Sequence, residues 1–354
     1  MRRIKIRKIT AYLAAGALAA ALLTGCGQSS GQNSGQSSEQ NSSQEAVQTE
    51  PEVQEAGTEA EAPEQNKGTI SVTYVKSPLN VPSIVEKKKG VFAEAFGKEG
   101  YEVSYSDLTT GPEQTQALAS GDIQFLNAVG ATSVILAASN DADIKILSTY
   151  SRSPKAFKLF SADDSIEVPE DLKGKKVAGP KGTILHELLN AYLTSAGMTE
   201  NDIEFLAMDI PSSQAALAGG SVDAALLAGP VAYNMEQDGF HVVTDGVGLT
   251  DATIVTAASG TFCEEHPELV EVFLEAQKQI LDYMDTNYDE CMTVAAEETE
   301  LSEDAVKEMY GMYDFRMEIT EDDIAAMEKT KQFMLGSGMI ENDVDISSLL
   351  RQGR

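Results

Sequence analysis

The sequence predicts an α/β protein of two similar lobes, and three observations carry that expectation. Strand-like and helix-like runs alternate from Thr69 onward, as they do where largely parallel sheets are flanked by helices. A short segment, Ala117-Leu118-Ala119-Ser120-Gly121-Asp122-Ile123, recurs as Ala216-Leu217-Ala218-Gly219-Gly220-Ser221-Val222, both fitting A-L-A-x-G-x-[IV]. Residues 68–354 are also too many for one compact core of ordinary size, yet suit two.

The elements follow in order from the start of the chain. Arg2, Arg3, Lys5, Arg7 and Lys8 precede an apolar run from Ala11 to Leu23, which reads as a signal peptide over residues 1–25. That run is short for a membrane span of about 20 residues. Leu23-Thr24-Gly25-Cys26 looks like a bacterial lipobox, so Cys26 is expected to be acylated and to become the first residue of the mature form. Two or three acyl chains hold firmly where one binds marginally. From Gly27 to Lys67 the composition of Gln, Ser, Gly, Asn, Glu and Ala cannot bury enough surface to offset ordering entropy, and a coil of this length separates its ends by roughly 35 Å. Residues 26–67 are thus expected to be a lipidated tether.

Past the tether, Thr69 to Val75 reads as a strand, Val81 to Phe96 as helical, Glu102 to Leu108 as a strand and Pro112 to Ser120 as a helix. In both copies of the repeated segment a helix ends, glycine takes the left-handed position past its C-terminus, and a short strand begins. A turn and another helix then follow, through Asn127 to Gly130 in one copy and Leu227 to Pro230 in the other.

Composition removes several function classes. The formal charge is −30, and loss of the leader's five basic residues takes it to −35, which argues against a nucleic-acid partner. Beyond Cys26 the cysteines are Cys263 and Cys291, read as free thiols, and the histidines are His186, His241 and His266. None stands at metal-ligand spacing, so no metal or cofactor is expected. The acidic stretches Glu264-Glu265, Glu297-Glu298 and Glu321 to Asp323 read as solvated helix starts, where negative side chains suit the dipole.

Several segments fall in a consistent order along the chain: Val72 to Pro82, T-T-G-P at Thr109 to Pro112, G-D-I at Gly121 to Ile123, D-L-K-G-K-K-V-A at Asp171 to Ala178, and G-P-K-G-T at Gly179 to Thr183. H-P-E-L-V at His266 to Val270 and Y-D-F-R at Tyr313 to Arg316 complete the set. Taken together they resemble the periplasmic-type substrate-binding proteins of the nitrate, sulfonate and taurine importers. The resemblance implies a type II periplasmic-binding-protein clamshell, each lobe a mostly parallel sheet flanked by helices. The chain would cross between lobes near Ser151 to Phe160 and near Val247 to Val255. Lobe one would hold about 68–157 plus 251–354, and lobe two about 158–250. It also implies a monomeric, non-enzymatic receptor on the outer face of the cytoplasmic membrane, tethered by its lipid. The receptor would close on a small solute and pass it to an ABC permease and its ATPase. An enzyme or a sensory lipoprotein on the same fold are the alternatives.

Ligands of doubly wound folds bind beyond the carboxyl ends of strands. The loop Gly179-Pro180-Lys181-Gly182-Thr183 precedes a helix whose face is Ile184, Leu185, Leu188, Leu189, Tyr192 and Leu193. Its free N–H groups and positive dipole end make an anion site to which Lys181, Gly182 and Thr183 could contribute. The equivalent loops add Ser77, Asn80, Thr110, Asn127, Gly130 and Ala131. Arg152 lies by the first crossing, while Ser212 and Gly229 come from lobe two. His186 could touch a ligand, a helix-surface position being the plainer reading. With no Trp, aromatic surface falls to Tyr74, Tyr150, Phe157 and Tyr233, and a compact anion such as an aliphatic sulfonate, taurine or nitrate is preferred over a pyrimidine or flavin-type ring.

Overall fold

The computed structural model describes residues 66–351; the leader, Cys26 and nearly all of the tether lie outside the described residues. The first sheet begins with β1 (Gly68–Thr73) and β2 (Tyr101–Ser106), which pair in parallel. Between them run α1 (Val81–Lys89) and α2 (Val91–Lys98). The continuous helix expected over this stretch is broken at Gly90, whose φ of 70° ends α1 and redirects the chain. Next come α3 (Gly111–Ser120), β3 (Leu126–Gly130), α4 (Ala131–Ala138) and β4 (Lys145–Arg152).

The chain then enters a second sheet through β5 (Phe157–Ser161), β6 (Lys176–Gly179), α5 (Ile184–Ser195) and β7 (Glu204–Ala207). It continues with α6 (Ile210–Ala218), β8 (Ala224–Ala228), α7 (Gly229–Gln237) and β9 (His241–Asp245). Strand β10 (Thr253–Ala258) returns to the first sheet. The helices α8 (Gly260–Glu265), α9 (Pro267–Thr286), α10 (Tyr288–Thr299), α11 (Glu303–Tyr310), α12 (Glu321–Ser337) and α13 (Ile346–Leu349) complete the described chain.

The duplication seen in the sequence becomes a duplicated topology. The second sheet has the order β7-β6-β8-β5-β9. In the first, β1 meets the start of β3 through a parallel bridge between Val72 and Phe125 and a bond from Thr73 N to Phe125 O of 3.0 Å. The order is therefore β2-β1-β3-β10-β4, the same plan with β10 in the place of β5. The repeated glycines mark equivalent turns, with φ of 81° at Gly121 and 69° at Gly220.

Each sheet is mostly parallel, as expected, with four strands running one way and a single reversed strand, β10 in the first and β5 in the second. Strand β5 runs antiparallel to β8 and β9, and β10 antiparallel to β3 and β4. Each of these two strands follows a crossing, so it runs through its sheet from the opposite end to the βα units of that sheet. The crossings themselves lie between Arg152 and Phe157 and between Asp245 and Thr253.

Both faces of each sheet are covered. Phe92, Phe96, Phe125 and Phe273 interlock between the first sheet and α2 and α9, with Phe125 stacked on Phe273 at 4.3 Å between ring centroids. The α5 face that the sequence singled out is buried throughout. Only one of the three acidic stretches starts a helix. Glu264-Glu265 ends α8, Glu297-Glu298 lies in the last turns of α10, and Glu321 to Asp323 opens α12 with Asp323 buried. The side chains of the first two stretches are solvated, at helix ends where the dipole does not favour a negative charge. Cys263 and Cys291 are free. Among the described residues no helix is long and apolar enough to cross a membrane, and no cluster of three His, Cys, Asp or Glu is placed to hold a metal.

Candidate functional site

A cavity of about 170 Å³ lies between the two sheets, walled by the loops that leave their strands. Lobe one contributes Val75, Ser77, Pro78, Thr109, Thr110, Gly111, Gln114, Ala128, Gly130, Ser133 and Ile254. Pro180, Thr183, Ile184, Leu185, Asp209, Ile210, Pro211, Ala228 and Val231 come from lobe two, and Phe157 stands where the first crossing ends. The wall is the product of the duplicated βα unit: α3, α4, α5, α6 and α7 all start at it. Two of these starts are capped internally. Thr110 Oγ1 accepts from Glu113 N at 3.4 Å, and Asp209 Oδ1 accepts from Ser212 N at 2.8 Å. Helices α4, α5 and α7 begin with no side-chain cap, so their first N–H groups and positive dipole ends remain available to an anionic group.

Four of the residues picked from sequence line this cavity: Ser77, Thr110, Gly130 and Thr183. Thr183 stands at the N-cap of α5, but its hydroxyl donates to Pro180 O at 2.8 Å and shapes the loop instead of capping the helix. Gly229 and Ala131 are buried at the starts of α7 and α4 beside the wall. Gly229 earns its place by close approach. Its φ is 65°, and a Cβ there would collide with the backbone carbonyl of Pro78 across the cleft.

The others are placed elsewhere, each for a physical reason. Asn80 is buried with Nδ2 donating to Val75 O at 2.8 Å and Ser77 O at 3.1 Å, which folds the loop after β1. Asn127 is spent within lobe one, donating to Ser83 Oγ and accepting from Gln277 Nε2 at 3.1 Å. Arg152 does not face the cavity. Its guanidinium forks onto Asp323 at 2.5 and 2.6 Å and donates to the carbonyls of Arg316 and Glu318, both at 2.9 Å. Burial alone would raise the Asp323 carboxyl, but bonds from Arg152 and Thr320 outweigh it and bring the pKa down to about 2.

Lys181 is exposed, and Ser212 is exposed with its backbone N–H held by Asp209. Gly182 is buried but its peptide is already bonded, N–H to His186 Nδ1 at 3.2 Å and C=O to Ser133 Oγ at 2.8 Å. His186 is correspondingly not a surface residue: it is 4% exposed, with Nε2 2.6 Å from Glu200. Burial lowers its pKa, with the Glu200 contact opposing that shift. Of the aromatic candidates only Phe157 reaches the wall; Tyr150 is bonded to Ser83 and Tyr74 to Glu298.

Sequence reasoning missed Gln114, Ser133 and Asp209. Gln114 is 2% exposed and lines the cavity with its Oε1 unpartnered, a polar end left for a guest. Its signal was available, since it lies three residues into the helix that T-T-G-P opens. Ala128, within the Asn127 to Ala131 segment, lines the wall and holds φ 77°, a conformation that costs about 1–3 kcal/mol in an L residue and that the sequence did not announce. The lining contains no Lys or Arg, and its one carboxylate is Asp209.

The family description "NMT1/THI5 like" matches residues 78–291, the stretch that holds most of both lobes. The chain belongs to the NMT1/THI5-like family. This NMT1/THI5-like chain is 27% identical over 274 residues to a protein of Bacillus subtilis (strain 168) named for binding aliphatic sulfonates. That match covers 76% of this chain and 82% of the other. It is 30% identical over 211 residues to the taurine-binding periplasmic protein of Escherichia coli (strain K12), across 58% of this chain and 64% of that one. Among solved structures, the alkanesulfonate-binding protein SsuA of Xanthomonas axonopodis pv. citri, bound to MOPS, superposes with a TM-score of 0.73 at 20% identity. It covers 80% of this chain and 98% of the other. The periplasmic aliphatic sulphonate binding protein SsuA of Escherichia coli gives 0.68 at 21% identity, over 83% and 94%. These two likenesses establish the two-lobed periplasmic-binding-protein fold for this NMT1/THI5-like chain.

Proposed function

We propose that the protein is the extracytoplasmic receptor of an ABC importer, and that it captures a small aliphatic sulfonate, including amino-sulfonates of the taurine type, between lobes 68–157 plus 251–354 and 158–250. The observation that carries this reading is the cavity itself. Uncapped helix starts supply N–H donors for an oxyanion, and Val75, Ile184, Leu185, Ile210, Val231 and Ile254 supply an apolar lining for a short carbon chain. Asp209 gives a cationic end something to meet. A bare nitrate would use the donors and leave the apolar wall empty. Size decides against a flavin: a cavity of about 150 Å³ holds one benzene ring, and this one is only slightly larger. Neither histidine nor cysteine lines the cavity, which favours binding over nucleophilic catalysis.

Thermal denaturation of the full chain in the presence of taurine, straight-chain sulfonates, nitrate, uracil and riboflavin tests the ligand class. A sulfonate at 100 times its dissociation constant raises stability by about 2.7 kcal/mol, with nitrate and riboflavin inert. If nitrate or riboflavin stabilised the protein and no sulfonate did, or if a sulfonate were turned over, this reading would be wrong.

The proposal includes the membrane address. Acylation of Cys26 would hold the receptor at the outer face of the membrane, near its permease and ATPase, with the tether giving the lobes reach. The Cys26→Ala chain is expected in the soluble fraction, while the parent chain sediments with membranes and carries the acyl mass; equal partition of the two would remove the anchor from the proposal.

A further inference from the structure

Behind the cavity wall, α5 of lobe two lies against α4 and α12 of lobe one, and a single carboxylate ties the three together. Glu187 is 3% exposed. Its Oε2 accepts from Thr132 Oγ1 of α4 at 2.5 Å, and its Oε1 accepts from Thr330 Oγ1 of α12 at 2.9 Å. Thr250, in the segment that returns the chain to lobe one, stands against the same carboxylate. One residue of lobe two is therefore bonded to two helices of lobe one and adjoins the crossing that joins the lobes.

Among the described residues no Lys, Arg or His is within ion-pairing distance of it. A carboxyl group buried this deeply is costly unless hydrogen-bonded, and the two hydroxyls that donate to this one, from Thr132 and Thr330, both come from the other lobe. Burial pushes the Glu187 carboxyl up, with the threonine bonds opposing. The approach is close on either side of it. Ser133 Oγ donates to Gly182 O at 2.8 Å across the same boundary, and a Cβ on Gly182 would come within 2.9 Å of Leu136. Likewise a Cβ on Gly130 would come within 3.2 Å of Ile184.

We propose that Glu187 is the positioning residue of the binding cleft, an interlobe lock that fixes the separation of the α4 and α5 starts without touching the cavity. Gly130 and Ser133 on one side, and Thr183, Ile184 and Leu185 on the other, are wall residues within a turn or two of the lock. The threonine–carboxylate bonds set where they stand. Glu187 thus acts through these residues, and the strength of its two bonds governs how long the lobes stay together.

The inference rests on the cavity being the solute site only for its ligand measurement; its first measurement needs no ligand. Thr132→Val with Thr330→Val keeps side-chain shape and removes both donors, while Thr132→Ser with Thr330→Ser keeps the donors. Amide hydrogen exchange on the ligand-free full chain is expected to quicken at least fivefold in segments 180–185 and 246–253 of the valine chain, and to match the parent in the serine chain. Taurine, or the sulfonate that stabilises the parent, should leave the valine chain at least five times faster with its association rate unchanged. Should the double valine chain not fold, Thr330→Val alone reads the same segments. Equal exchange in the valine and serine chains, whether both quickened or neither, would overturn the lock and leave these threonines as packing. The expected exchange pattern in a protein that binds no sulfonate would uphold the lock and remove the ligand reading.

Discussion

Gly229→Ala is expected to abolish high-affinity binding, weakening the sulfonate complex at least 100-fold, while the lobes remain folded. Two separable effects act at this position. The residue holds φ 65°, where an L side chain costs about 1–2 kcal/mol. Its added methyl would also meet the backbone carbonyl of Pro78, in the opposite lobe, at a distance no real contact reaches. A side chain can rotate away from a clash, but a peptide carbonyl in a tight loop cannot, so the lobes must stand further apart. A loss of 100-fold in affinity corresponds to about 2.7 kcal/mol, a small part of what such an overlap imposes. Gly197→Ala is the control. It has a comparable φ of 70° with nothing within 4 Å of the new methyl, and so carries the backbone strain without the collision. Titration calorimetry on both chains, with circular dichroism to verify folding, checks the expectation. Equal affinities for the two variants would show that the Pro78 approach has no part in closure.

Arg152→Ala is expected to cost about 3–5 kcal/mol of stability and to leave the affinity of the folded protein within twofold of the parent. The substitution strands the Asp323 carboxylate, which is 4% exposed, and removes the donors for the carbonyls of Arg316 and Glu318. For a chain of this size the melting temperature should fall by roughly 10 °C. The pH dependence has a definite sign. The folded Asp323 pKa of about 2 lies below the ordinary carboxylate value of 3.8, so the pair's stabilisation is complete above pH 4 and is lost as pH falls from 4 toward 2. The Arg152→Ala chain should lack that part of the acid dependence. A variant with normal melting temperature and greatly weakened ligand binding would instead return Arg152 to the solute site.

The contrast between these two positions explains how much of the site was legible in the sequence. Gly229 was picked because a glycine at a strand-to-helix turn permits close approach, a local property that residue type and position reveal. Ser77, Thr110, Gly130 and Thr183 were found on the same local logic and do line the cavity. Arg152 was picked because it lies beside a crossing; its partner Asp323 lies 171 residues away, and nothing local announces such a pairing. Lys181 is the opposite case: a charge beside a helix start suggests attraction, and the structure places it exposed, outside the lining of the cavity.

The same division holds for the fold. Periodicity placed the strands, the α5 face and the turns at Gly121 and Gly220. It could not give strand direction, because β5 and β10 read like any other buried strand and differ only in the end from which they enter. The break at Gly90 was missed because the apolar pattern continues across it from Val85 to Phe92 and Phe96.

The exchange of β10 into the first sheet has a consequence for how the molecule acquires its structure. Strand β10 occupies an interior place between β3 and β4, so that sheet lacks an inner member until Thr253–Ala258 is present. The second sheet is assembled from one uninterrupted stretch, β5 to β9. When the chain emerges from a narrow exit one end first, the middle lobe can complete its core while the outer lobe is still an open two-part sheet. Contacts that close long loops form late, which sets the order of events: the inserted lobe folds as a unit, and its completion brings the two distant parts of its neighbour together. A slow final phase in refolding should therefore report β10 docking, with the lobe that comes second in the chain the first to become native.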